Sequence, residues 1–156
     1  MPQATAQHLR DEGWRVEQFG GALTPMQFDA YLDAVCIEAG RWAGHYIGSA
    51  DYAALPANSY ATDCVRRAEV LFCNARLWKR RAAFFDSGAA HNEQHEYLER
   101  REYLKHAEDI MACAESALTD AMRALGLPVD GIGADWAGMA SGIVETGPLP
   151  PTQVAA

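Results

Sequence analysis

Four cysteines, a pair of histidines and one dense run of cations are the side chains in this sequence best suited to chemistry. Cys36, Cys64, Cys73 and Cys113 form no Cys-x-x-Cys or other metal-ligand spacing, and each falls on or beside an apolar face of an expected helix. Thiols so placed act as small hydrophobes and fit a reducing compartment. His91 and His95 stand four apart, so one helix would turn both imidazoles to the same side, with Glu99 a turn further on. No third strong ligand and no His-Glu-x-x-His accompanies them, and they read as exposed residues. A ferritin-like carboxylate site would need further inward glutamates, which the first two helices do not supply. There is no Gly-rich phosphate loop and no nucleophile elbow; the GIGADWAG stretch at 131–138 follows no strand. The expectation is a non-enzyme with no metal and no cofactor.

The cations are concentrated in the segment Tyr60 to Phe85. Its apolar residues Tyr60, Cys64, Ala68, Leu71, Phe72, Ala75, Trp78, Ala82 and Phe85 recur every three or four positions, which predicts one buried helical face. Arg66, Arg67, Arg76, Lys79, Arg80 and Arg81 lie between them, with Asp63 in the first turn and Glu69 the one acid within the run of cations itself. The whole chain carries a formal charge of -8, so this helix opposes its surroundings in sign. The run Lys79-Arg80-Arg81 is a candidate end of a DNA-reading helix, but helix-turn-helix units join short helices by tight turns, and these helices are long. The reading adopted is that these six cations meet acids on the first or third helix of an adjacent copy. Some sit as well where a helix C-terminus favours positive charge.

Positioning those residues takes three long helices. At 156 residues the chain suits one domain with a real core, and 49% apolar with 22% charged residues excludes wholesale disorder. The acidic balance argues against a general nucleic-acid coat. The first residues lack the basic and apolar regions of a signal peptide, and no apolar run reaches the ~20 residues of a membrane span. A soluble, intracellular protein without membrane contact is expected.

Residues 1–23 form an N-terminal arm, in which Trp14, Val16 and Phe19 alternate as in a short strand or extended stretch before Gly20 and Gly21. Thr24-Pro25-Met26-Gln27 is a helix start with a capping box, and Phe28, Tyr31, Leu32, Val35, Ala39, Trp42, Ala43 and Tyr46 continue at helical spacing. Gly40 and Gly44 either admit another helix closely or only weaken the last turns. Gly48 stops this helix, and Pro56 keeps the connector from being helical throughout, with Tyr52 and Leu55 packing it down. Asn58 or Ser59 caps the central helix. The third helix runs from about Ala90 to Leu125, and Tyr97, Leu104, Ala107, Met111, Ala114, Leu118, Ala121 and Leu125 mark a seam. Packing of that seam within the chain is the default. Residues 126–156 are a Gly/Pro-rich tail dotted with Ile132, Trp136, Met139 and Ile143, either a partner-docking segment or a terminus with incidental hydrophobes.

The order TPMQFDAYLDAVCIEAGRWAGHYIG, DYAALP, RRAEVLFCNARLWKRRAAF over Thr24 to Phe85 resembles the small helical head–tail connector, or adaptor, proteins of tailed bacteriophages. The resemblance implies an all-α bundle that assembles as a ring, commonly of twelve copies, beneath the portal. Such a ring extends the DNA channel without sequence-specific contact and docks the next neck or tail component. It implies a place in the virion neck after assembly in the host cytoplasm, and a terminal extension that clasps the portal or a neighbour. The long charged third helix departs from that pattern. The alternative is a DNA-binding or packaging-associated regulator using the basic helix 60–85.

Overall fold

Thr24 caps the first long helix as its spacing to Gln27 requires. Its hydroxyl accepts the Gln27 N–H at 3.3 Å and the Gln27 side-chain oxygen accepts the Thr24 N–H at 2.9 Å. Pro25 takes the first helical position, where no N–H is needed. The computed structural model describes residues 1–19, 23–84, 93–129 and 132. Within these residues the fold is all α, without a strand: α1 Ala6–Asp11, a 3-10 turn Val16–Phe19, α2 Pro25–Ile47, α3 Ser49–Ala53, α4 Tyr60–Phe84 and α5 Glu93–Ala124. The three long helices α2, α4 and α5 are those expected from the periodicity. Phe85, His91, the side chain of His95, Trp136, Met139 and Ile143 lie outside the described residues.

The middle of the bundle is α4. Along it Arg80 lies by Tyr31, Arg76 by Glu38, Cys73 by Val35 and Phe72 by Trp42, so α2 runs antiparallel to it on one side. On the other side Trp78 meets Tyr103 and His106, while Tyr60 feels the charge of Asp120, so α5 is antiparallel as well. Among the described residues α2 and α5 share at most marginal contact. The bundle is a layer with α4 between two flanking helices.

The α4–α5 seam is built on alanine. Ala61, Ala68, Ala75 and Ala82 recur every seven residues on α4, and Ala107, Ala114 and Ala121 do so on α5; all seven are buried. The register that sets Trp78 beside Tyr103 brings Ala75 level with Ala107 and Ala68 with Ala114. With no side chain beyond Cβ at these levels, the alanines allow the helix axes to approach toward the ~8 Å lower limit of helix packing. Val65, Phe72, Met111 and Leu118 fill the spaces alongside. The seam read from Leu104 onward is thus an intramolecular one. Tyr60, read as part of the buried face, is 70% exposed at the first turn of α4.

The N-terminal arm differs most from expectation. Instead of a strand or loose extended stretch, residues 5–19 form α1 and the 3-10 turn and insert Leu9, Trp14 and Phe19 into the core. Local chemistry accounts for this. Thr5 caps α1 reciprocally with His8, and Gly13 turns left-handed at φ 95°. The turn returns the Gly13 N–H to Arg10 O at 3.0 Å and the Trp14 N–H to Leu9 O at 3.2 Å, a Schellman closure. Trp14 is thereby aimed inward. Gly126 (φ 71°) ends α5 by the same device, with Leu127 N–H on Met122 O at 2.9 Å, after which Leu127, Val129 and Ile132 pack against the core.

The connector behaves as its residues predict. Gly48 (φ 93°) ends α2, Ser59 caps α4 by accepting the Thr62 N–H at 3.2 Å, and Tyr52 and Leu55 pack inward. Gly40 and Gly44 do admit a close neighbour, but it is not a long helix. Pro2 and the Tyr52 ring of α3 lie over them.

Candidate functional site

Helix α4 carries the cations into three different surroundings. Arg76 is largely covered and pairs with Glu38 of α2 at 2.7 Å, while Arg66 pairs with Asp63 one turn away at 2.9 Å in an exposed contact worth little by itself. The Arg80 guanidinium lies 5.1 Å from the Tyr31 ring centre. Arg81 lies against two rings, 5.2 Å from Trp78 and 4.9 Å from Tyr103. Lys79 is half-buried, and burial with the neighbouring Arg76 pulls its ammonium below the ordinary lysine range. Arg67 and Arg80 are the cations of this helix most exposed to water. The acids expected on a neighbouring copy are thus supplied in part by α2 of the same chain.

Glu69, the acid interleaved among those cations, is nowhere near the cationic surface. It is fully buried. Its Oε2 accepts the backbone N–H groups of Gln3 and Ala4, each at 2.7 Å, and its Oε1 accepts the Tyr52 hydroxyl. One carboxylate therefore ties the N-terminal segment, α3 and α4 together. Burial raises its pKa above the ordinary carboxylate range, and the three hydrogen bonds oppose that shift. Burial and the carboxylate together push the Tyr52 phenol up in turn. Close by, the Cys73 thiol of α4 donates to the Val35 carbonyl of α2 at 3.7 Å, and the neighbouring Cys36 together with burial pushes that thiol well up. Periodicity had marked Glu69 only as a lone acid. The available signal was its company, since Val65, Phe72 and Cys73, one turn to either side, are all apolar.

A cleft of about 330 Å³ opens between the N-terminal segment and α5, with α4 as its floor. Trp14 forms one wall and meets Trp78 edge-on at 5.3 Å. The Trp14 indole N–H donates to Asn74 Oδ1 at 2.8 Å in a buried bond. Leu71, Asn74, Trp78 and Arg81 come from α4, and His106 and Ile110 from α5. Neither Trp14 nor Asn74 was a candidate from spacing, because their pairing joins positions 60 residues apart.

No protein-family model, curated protein or solved structure matches the chain. Among the described residues no three metal-ligating side chains gather, and no helix is long and apolar enough to cross a membrane. Of the residues proposed for a docking tail, Ile132 packs on the core of its own chain.

Proposed function

We propose that this chain is a structural connector of the head–tail junction type, forming a ring beneath a portal, extending the DNA channel and docking the next neck or tail component. The observation that supports this reading is the layered bundle. Because α4 takes up the inner faces of both α2 and α5, each flanking helix turns a separate outer face to solvent. The outer face of α2 carries Asp29, Asp33, Ile37 and Arg41; that of α5 carries Lys105, Glu108, Asp109 and Ser116. Two unlike faces on opposite edges of one subunit are what a closed head-to-tail ring requires. Leu127, Val129 and Ile132, packed against the core, give the tail a fixed point on the bundle, a suitable base for an extension that reaches a neighbour.

The test is the mass of the purified protein by light scattering, alone and mixed with portal rings, for the full chain and for a deletion after Leu127. A defined ring, free or on the portal, that is lost on deletion supports the connector and gives the tail its role. A monomer that ignores portal rings overturns it. Reversal of the exposed Arg80 to Glu should weaken the ring if that cation meets a neighbour's acid. A DNA-binding regulator is the second reading, favoured by the exposure of Arg67 and Arg80. Salt-sensitive binding of duplex DNA by the isolated protein would support it instead.

A further inference from the structure

The cleft between the N-terminal segment and α5 has a polarity that α4 imposes. Leu71, Asn74, Trp78 and Arg81 follow at steps of three, four and three, so they line up as one stripe about 15 Å long. Antiparallel α5 places Ile110 level with Leu71 and His106 level with Trp78. One end is thus aliphatic, and the other presents a guanidinium and an imidazole.

Between the ends lies Asn74, only 8% exposed. The Trp14 N–H occupies its Oδ1, which fixes the amide orientation and leaves the NH₂ donors for the cleft. No described residue accepts from them. At the polar end the Arg81 guanidinium is held by the rings of Trp78 and Tyr103, and its Nε has no hydrogen-bond partner. Among the described residues no carboxylate stands within ion-pair distance of Arg81. The cleft therefore offers positioned donors beside an apolar floor and lacks the acceptor that would complete them. Glu12 on the rim adds one negative charge, which disfavours a multiply charged head such as phosphate.

We propose that this cleft binds a small amphiphile with a single carboxylate head. The head lies between Arg81 and the Asn74 amide, and an alkyl or aryl body runs toward Leu71 and Ile110. A volume of about 330 Å³ is at the small end of ligand sites and suits a body of roughly eight carbons.

The test is calorimetric titration of the full chain with octanoate, with octanol as the headless control. Octanoate should saturate one site per chain with a dissociation constant below about 1 mM, and octanol should bind at least about tenfold more weakly. Arg81→Met should weaken octanoate about tenfold and leave octanol unchanged, whereas Ile110→Glu should weaken both. Arg81→Lys should recover part of the loss, which separates the head contact from ring packing. Thermal melting of each variant confirms that it folds. Absence of saturation by octanoate, equal affinity for octanol, or indifference to Arg81→Met each overturns the proposal.

Discussion

The Tyr52 hydroxyl stands between the Glu69 carboxylate and the Met1 carbonyl oxygen, 3.3 Å from the latter, with one proton for two acceptors. When Glu69 is ionised, Tyr52 donates to it and the Met1 oxygen goes without. When Glu69 is protonated, the carboxyl donates to Tyr52, and Tyr52 is free to donate to Met1. The neutral state thus adds a Tyr52–Met1 bond that the ionised state lacks, while the N-terminal ammonium acts the other way and favours the ionised carboxylate.

Glu69→Gln imitates that neutral state. Its oxygen still accepts from Gln3 and Ala4, and its NH₂ donates to Tyr52. At neutral pH this variant should be as stable as the wild type or more so. Glu69→Ala strands two backbone N–H groups and the hydroxyl beside a cavity, and should cost about 3 kcal/mol. Urea unfolding distinguishes the two. Equal losses for both variants would show that the ionised carboxylate itself holds the cluster.

The same group sets a pH dependence. Glu69 holds its proton more tightly folded than its ordinary value of 4.5, chiefly because it is buried. A carboxyl raised on folding stabilises fully below its unfolded value and loses that contribution as pH rises through its folded value. Glu69→Gln should therefore gain on the wild type as pH climbs from 4.5 toward neutrality. The comparison cancels every other carboxylate, and parallel stability curves for the two proteins would contradict it.

Gly40 and Gly44 should respond oppositely to alanine. A Cβ on Gly40 would lie 3.0 Å from the Pro2 Cβ and 3.1 Å from the Tyr52 hydroxyl oxygen, both already fixed by the Glu69 cluster. Gly40→Ala should lower stability by about 1–2 kcal/mol and speed proteolysis of the first residues. A Cβ on Gly44 meets the Tyr52 ring at an ordinary 3.6 Å. Gly44→Ala should then gain up to about 1 kcal/mol from helix propensity. Thermal melts of the two variants check both signs.

The alanine seam limits what α4 and α5 tolerate. Ala75→Leu or Ala114→Leu would force the helices apart or a side chain off its rotamer, at about 2–3 kcal/mol. Ala112 on the outer face of α5 is exposed, and Ala112→Leu should stay within about 0.5 kcal/mol of wild type in solution. A small effect at Ala75 would mean that the two helices are packed less closely than their register indicates.

Trp14 and Asn74 should be energetically coupled. Trp14→Phe leaves a buried amide oxygen without its donor, and Asn74→Leu leaves a buried indole N–H without its acceptor. The double variant removes both ends at once, so the single losses should exceed it by about 1 kcal/mol in a double-mutant cycle. Additive losses would show that the bond contributes nothing beyond packing.

What was legible from the sequence alone was whatever depends on neighbours within a turn or two. Thr24, Pro25 and Gln27 start α2 through a contact three residues long, Gly48 and Pro56 interrupt the chain by backbone conformation, and the heptads of α5 mark a seam without naming its partner. These are local, additive preferences, and they were enough for three helices and an all-α class. Over residues 5–19 two local signals compete. The alternation of Trp14 and Val16 suggested a strand, while Thr5 with His8 and the left-handed Gly13 impose a helix and a tight return.

Only the tertiary structure decided which face of α4 each residue occupies, because α4 is covered from two sides and a single periodic stripe cannot describe that. It put Glu69 under the N-terminal segment at a separation of 66 residues from Gln3, and Trp14 onto Asn74 at 60. It also turned Glu38 toward Arg76. A buried carboxylate or amide is tolerable only where donors from distant parts of the chain converge on it. That convergence belongs to the packed fold and leaves no trace in local spacing.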